Sequence, residues 1–282
     1  MSKIANKRTE VLYNGDVEID FYPDSHRYKM AGEKTYLISA TACTGIIDKS
    51  MFLIPWAVRL VGSFITEYLE RSKENRFTKE ELRPVIEEAL IQHTVKKETA
   101  ADIGTAIHNW CEQFAKAQMN GTEFPEIPEE IEGMKPEDVG KVHNGINGFL
   151  DWFNSRDVKF EHSERLIYSR IHGFVGITDF IARINGFRVL GDFKSSKGVY
   201  DEQFFQLAGY MGAVEEEEEY SNENAEKFEN GLILHFDKET GAFGHYEMSR
   251  EEYEKNYETF LHAYGIKKRL KELAAKKGYS RE

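Results

Sequence analysis

The chain is predicted to fold as an α/β protein, with a central mixed β-sheet flanked by helices, an N-terminal β-ribbon and a helical insertion. Three observations predict it. First, Asn185-Gly186 separates two apolar-rich runs, and a type I′ hairpin turn needs positive φ at both central residues, which Asn and Gly tolerate best. Second, both faces of the resulting strand pair are apolar, with Phe180, Ala182, Ile184, Phe187, Val189 and Phe193 on one and Ile177, Ile181 and Leu190 on the other. That pattern marks central strands covered on both sides. Third, segments of helical period lie before and after the pair.

Taken in order, the first 38 residues read as strands. Asn14-Gly15 lies between VLY and VEIDFY, and Ala31-Gly32 between HRYKM and TYLIS, which predicts an antiparallel ribbon. Ser39 and Thr41 have the chemistry of helix caps, and MFLIPWAVRLVGSFITEYLE follows with a helical pattern. Its Trp56 is expected in the core, with a base-stacking platform as the alternative reading. Thr78 and Glu81 form a capping box ahead of a helix reaching about His93.

A separate helix is expected over 98–118, where Ile103, Ile107, Cys111 and Phe114 recur every three or four positions. His108 borders this stripe, with Gly104 one turn before it and Glu112 one turn after. On its own such a histidine reads as a core residue more readily than as a ligand. Three prolines mark 120–137 as a loop. Helix returns over 138–153, with Val142, Ile146, Phe149 and Phe153 aligned, and residues 159–169 read as a strand containing Glu164. That residue is either an acid near a metal or a surface salt-bridge partner. A helix over 199–214 carries Gln206 and Tyr210 one turn apart, on one face. GLILHFD and AFGHYEMS predict another hairpin, and Ser249 with Glu252 caps the last helix. The organisation expected is a single unit over 1–282: the ribbon and first helices over 1–97, the core over 98–248 and a C-terminal helix over 249–282.

A chain of 282 residues with 40% hydrophobic content can bury a substantial core. No apolar run is expected to reach the ~18 residues of a membrane span, and the N-terminus lacks the apolar stretch of a signal peptide. These features predict a soluble, cytoplasmic protein that makes no membrane contact. Cys43 and Cys111 fit neither a zinc spacing nor a disulfide framework. They are too few for an iron–sulfur cluster with four cysteine ligands. The net charge of −12 argues against a general coat of nucleic-acid affinity and leaves room for a local basic groove. The Glu215–Glu219 run is expected in a solvated helix end or loop.

The hairpin turn sets a register. If Ile184 and Phe187 flank it, facing residues have numbers summing to 371, so Asp179 faces Asp192, and Lys194 projects from the same side. Facing Cβ atoms lie roughly 4.5–5.5 Å apart, and two carboxylates there repel unless positive charge sits between them. A divalent cation would supply it. A surface hairpin with two chance acids is the bland alternative, disfavoured by the apolar residues on both faces.

Asp179, the Asp192-Phe193-Lys194 triplet and the Gln206–Tyr210 pair stand in the order that defines the PD-(D/E)XK nuclease superfamily, which this sequence resembles. Gly104-Thr105-Ala106-Ile107-His108 resembles the G-x-x-x-H segment of its RecB-like branch. SATACTGIIDKSMFLIPWA resembles, more loosely, the opening of phage-encoded and mitochondrial exonucleases of that branch. The triplet carries Asp192 where many relatives have Glu, and the cluster cysteines of the CRISPR-associated relatives are missing.

The resemblance implies a restriction-endonuclease-like core and metal-dependent hydrolysis of DNA. Mg²⁺ or Mn²⁺ would be held by His108, Asp179, Asp192 and the Phe193 carbonyl. Lys194 would be catalytic, with Gln206 and Tyr210 holding it and touching the substrate backbone together with Ser195 and Ser196. Glu164 and Glu112 would stand behind the metal or serve a second one. Its expected partners are linear DNA ends, single- or double-stranded, and a recruiting protein such as a recombination or single-strand-binding protein. Its expected setting is phage-type recombination, replication or repair, in the host cytoplasm if phage-encoded. Two competing readings are a non-catalytic binding module on the same scaffold and a structure- or site-specific endonuclease.

Overall fold

The computed structural model describes residues 6–72 and 76–276. Strands β1 (Arg8–Leu12), β2 (Val17–Tyr22) and β3 (Arg27–Met30) form the antiparallel ribbon. Asn14 and Gly15 turn β1 into β2 with φ of 56° and 104°, the left-handed region those residue types tolerate. Strand β4 (Ile38–Ser39) does not extend the ribbon. It pairs in parallel with β6 (Phe174–Ile184) of the main sheet. The ribbon packs on that sheet through Tyr13, Ile19 and Tyr28 against Leu166, Val175 and Ile177.

The main sheet adds β5 (Val158–Tyr168), β7 (Phe187–Ser196), β8 (Asn230–Asp237) and β9 (Phe243–Met248). Its order is β4-β6-β7-β8-β9, with β5 along the other edge of β6. Parallel β7/β8 and antiparallel β5/β6, β6/β7 and β8/β9 pairs make it mixed, as predicted. The Asn185-Gly186 turn has the expected positive φ values of 52° and 89°. The register sum of 371 holds from Ile184–Phe187 to Phe180–Gly191, where the ladder ends.

Helices α3 (Lys79–Asn120) and α4 (Pro136–Asn154) cover one face, with Ile103, Ile107, Cys111 and Phe114 packed on Phe180 and Phe193. Helices α1 (Ala40–Thr44), α5 (Asp201–Ser221) and α6 (Arg250–Lys276) cover the other, with Leu207, Met211 and Phe260 packed on Ile181 and Leu190. Ser39 caps α1 by accepting from the Ala42 amide, Thr78 and Glu81 form the capping box of α3, and Ser249 and Glu252 cap α6. The last residues of the predicted C-terminal helix, 277–282, lie outside the described residues.

Four expectations are corrected. The two helices predicted over 78–93 and 98–118 are one 42-residue helix, α3, because no helix-breaking residue stands between them. Trp56 is half-buried rather than core, since helix α2 (Ser50–Arg71) buries none of its residues. That helix is also long and apolar enough, by length and composition alone, to cross a membrane.

The Glu215–Glu219 run is a helix end, the last stretch of α5, but it is solvated only at Glu219; the four glutamates before it are buried or half-buried and paired. Glu215 pairs with Arg250, and Glu217 and Glu218 with Arg165. Glu218 also takes two bonds from buried Arg188, and Glu216 accepts from the Tyr13 and Ser169 hydroxyls at 2.8 and 2.6 Å. Arginine forks matched to carboxylates let acids lie close to the sheet.

Candidate active site

Strand β6 shares one edge between two partners. β7 pairs with residues 180–184 and β4 with Phe174 and Val175, which leaves a notch over residues 176–179. There, side chains replace the missing ladder bonds. The Asp179 carboxylate accepts from the Phe193 amide at 2.6 Å, and the Thr178 hydroxyl donates to the Gly191 carbonyl at 3.3 Å. Asp179 and Asp192 therefore sit together at the notch, as the register requires.

Helix α3 brings His108 across the other side of the notch. Gly104 makes the approach close, for a Cβ there would lie 2.4 Å from Ser195 Oγ. One turn later His108 Nε2 is 3.1 Å from Asp179 Oδ1 and 3.8 Å from Glu164 Oε1, its ring edge-on to Phe193. Glu164 faces Asp179 by the register of β5 and β6 and has a φ of 55°. A left-handed backbone at a non-glycine residue is strained, and here it marks the acid beside the site. Ligand atoms of His108, Glu112 and Glu164 lie within 4.8 Å of one another. Glu112 is also paired with Lys116.

Lys194 stands on the α5 side. Its ammonium contacts Asp192 and donates to Gln206 Oε1 at 3.0 Å. The Gln206 amide then donates to the Tyr210 hydroxyl at 2.6 Å and to the Thr41 hydroxyl at 2.9 Å. Gln206 and Tyr210 are only 6% and 4% exposed, and Gln206 holds Lys194 from its buried side. Tyr210 lies against Gly176, where a Cβ would come within 2.6 Å of its ring. Thr41 escaped the sequence reading because its spacing resembles an ordinary cap, and only β4 joining the sheet brings it here. Ser195 lies against α3, whereas the Ser196 hydroxyl donates to the Gly198 carbonyl and is turned into its own loop.

The electrostatics describe acids seeking a cation. Burial pushes the Asp192 carboxyl up to about 7; Lys194 opposes this and Asp179 adds to it. Burial likewise raises Glu164 to about 7, with Asp179 contributing. Against its own burial, His108 is raised to about 9 by Asp179, Glu164 and Asp192. Asp179 is held low despite burial by His108 and Lys194. The Lys194 ammonium lies against Asp192 Oδ2. Carboxylates with one imidazole form a donor set suited to Mg²⁺ or Mn²⁺; His108, Glu112 and Glu164 lie within reach of one such ion and Asp179 stands beside His108, whereas Asp192 is engaged with Lys194.

Nothing among curated proteins matches this chain. The solved structure described as "Crystal structure of SSO0001" shares 13% identity over 75% of this chain and 84% of that one, with a TM-score of 0.24, a likeness that carries no argument. A family model, PD-(D/E)XK nuclease superfamily, matches residues 76–277, well over half of the chain and the whole of the site apart from Thr41. With a mixed sheet, flanking helices and the acids and lysine in register, the chain belongs to the PD-(D/E)XK nuclease superfamily.

Proposed function

We propose that this protein is a metal-dependent deoxyribonuclease that degrades DNA from an end, of the RecB-like branch, working in phage-type recombination, replication or repair. The observation that carries the reading is Lys194, ion-paired with Asp192 and bonded to Gln206, beside an Asp179–His108 pair. A scaffold used only for binding has no need of a buried carboxylate pair with a lysine. The resemblance of residues 39–57 to phage-encoded and mitochondrial exonucleases favours action at ends.

Asp179, Asp192, His108 and the Phe193 carbonyl are the groups that would hold Mg²⁺ or Mn²⁺, with Glu164 and Glu112 behind them. When bound, the ion supplies Lewis acidity, making water a nucleophile near neutral pH and offsetting charge on the phosphate. Lys194, aimed by Asp192 and Gln206, orients that water or stabilises the charge that develops on the phosphate oxygens. Gln206 is fixed in turn by Tyr210 and Thr41, so the ammonium needs no reorganisation during reaction.

End-labelled linear DNA, single- and double-stranded, incubated with Mg²⁺, Mn²⁺ or EDTA tests the reading, with closed circular DNA alongside. Metal-dependent shortening from one end, absent in Lys194→Ala, is expected and reveals the polarity. Internal fragments from the circle would make it an endonuclease instead. DNA binding without cleavage under either metal would make it a binding module.

A further inference from the structure

Beside the site, between α3, β7 and the end of β8, lies a cavity of about 430 Å³. His108, Phe193 and Ser195 line it together with Lys97, from α3, and Lys238, from just after β8. Its charge is the unusual feature. The chain carries a net −12, yet the lining contains two lysines and no carboxylate. Nearby Lys194 and Lys197 are paired with acids, whereas neither Lys97 nor Lys238 forms an ion pair or a side-chain hydrogen bond among the described residues; what sets the two apart from other unpaired lysines is that they share one cavity beside the site.

We propose that this cavity is the seat of a DNA-strand phosphate next to the one cleaved, gripped by Lys97 and Lys238. The inference rests on the nuclease reading and deepens it by giving the strand a path. In an acidic protein a cavity with two lysines and no carboxylate is a place where a polyanion meets attraction locally, and such phosphate contacts fix register without reading sequence. Thr105 and Asn109, on the same stretch of α3, offer further donors along the wall. Lys97 comes from α3 and Lys238 from just after β8, and both line the same cavity as Ser195 and His108, so a strand held by them would lie beside the catalytic groups. Gly104 keeps the floor low, because any side chain there would meet Ser195.

The test is equilibrium binding of a fluorescent single-stranded oligodeoxynucleotide in EDTA, across a salt series, with wild type, Lys97→Ala/Lys238→Ala and the remote control Lys255→Ala. The double variant is expected to bind roughly tenfold more weakly, its log–log salt slope falling by roughly 0.7 for each phosphate no longer neutralised. Lys97→Arg/Lys238→Arg is expected to restore binding, and Lys255→Ala to match wild type. Repeating the series with 5′-phosphorylated and 5′-hydroxyl strands separates the sources. Equal weakening identifies an internal phosphodiester, and weakening confined to the phosphorylated strand identifies a terminal phosphate. Unchanged affinity and slope in the double variant, with cleavage by wild type intact, would overturn the inference and leave the nuclease reading standing. A wild type that neither binds nor cuts DNA under any metal would defeat both.

Discussion

The Asp179 carboxylate accepts a 2.6 Å hydrogen bond from the Phe193 amide, so a side chain of one strand completes the main chain of the next. The contact leaves Asp179 Oδ1 facing His108 at 3.1 Å. Structure and charge are separable here. Asp179→Asn keeps an oxygen acceptor for Phe193 and loses the charge. It is expected to unfold near the wild-type temperature while cleavage falls by roughly 10²–10³-fold or more. A variant that cuts at close to the wild-type rate would remove Asp179 from the chemistry.

Lys194→Ala and Asp192→Ala are each expected to abolish detectable cleavage without loss of secondary structure, measured by single-turnover kinetics beside circular dichroism. Each removes one member of a pair that points at the notch. Near-wild-type cleavage by purified Lys194→Ala would defeat the assignment of the lysine.

His108 has two roles to distinguish, counter-ion to Asp179 and metal ligand. His108→Ala is expected to weaken Mn²⁺ binding by calorimetry at least as much as loss of an outer-shell partner does, roughly 10–100-fold, and to slow cleavage. An unchanged Mn²⁺ affinity would leave His108 as the ion-pair partner alone.

Gly104 is required by packing. In Gly104→Ala the new methyl group meets Ser195, 2.4 Å from its Oγ, and overpacking of this kind costs about 1–3 kcal/mol. Denaturant unfolding is expected to show that loss, together with slower cleavage as α3 and His108 are pushed off β7. Full stability in the variant would show that Ser195 yields without cost.

Arg188 is 8% exposed and holds Glu218 and Glu161. Glu218 is lowered from its ordinary 4.5, against its own burial, by Arg188 and then Arg165. A depressed carboxylate contributes stability that is fully present above about pH 4.5 and lost as pH falls through the folded-state value. Arg188→Met is therefore expected to lose about 1–3 kcal/mol near neutral pH, the range for charged hydrogen bonds, since Glu218 is partly exposed and keeps Arg165. Its stability is also expected to change less than that of wild type between pH 5 and 3. Parallel pH profiles for the two proteins would show that the pair does not stabilise the fold.

Local chemistry alone determined much of this protein. Positive φ at Asn185 and Gly186, the Thr78–Glu81 box and the stripe of Ile103, Ile107 and Cys111 each depend on residues a few positions apart. Period 2 along the hairpin was enough to put Asp179, Asp192 and Lys194 on one side. Tertiary structure decided the rest, because it depends on segments far apart in sequence. The notch exists only because β4 and β7 share an edge of β6, and that sharing carries Thr41 to Gln206, 165 positions away. Five consecutive glutamates read the same whether water or arginine meets them, and only the folded chain supplies Arg165, Arg188 and Arg250. Lys97 and Lys238 are ordinary lysines in sequence. Folding places them in the lining of one cavity that holds no acid, a consequence of where α3 and β8 meet.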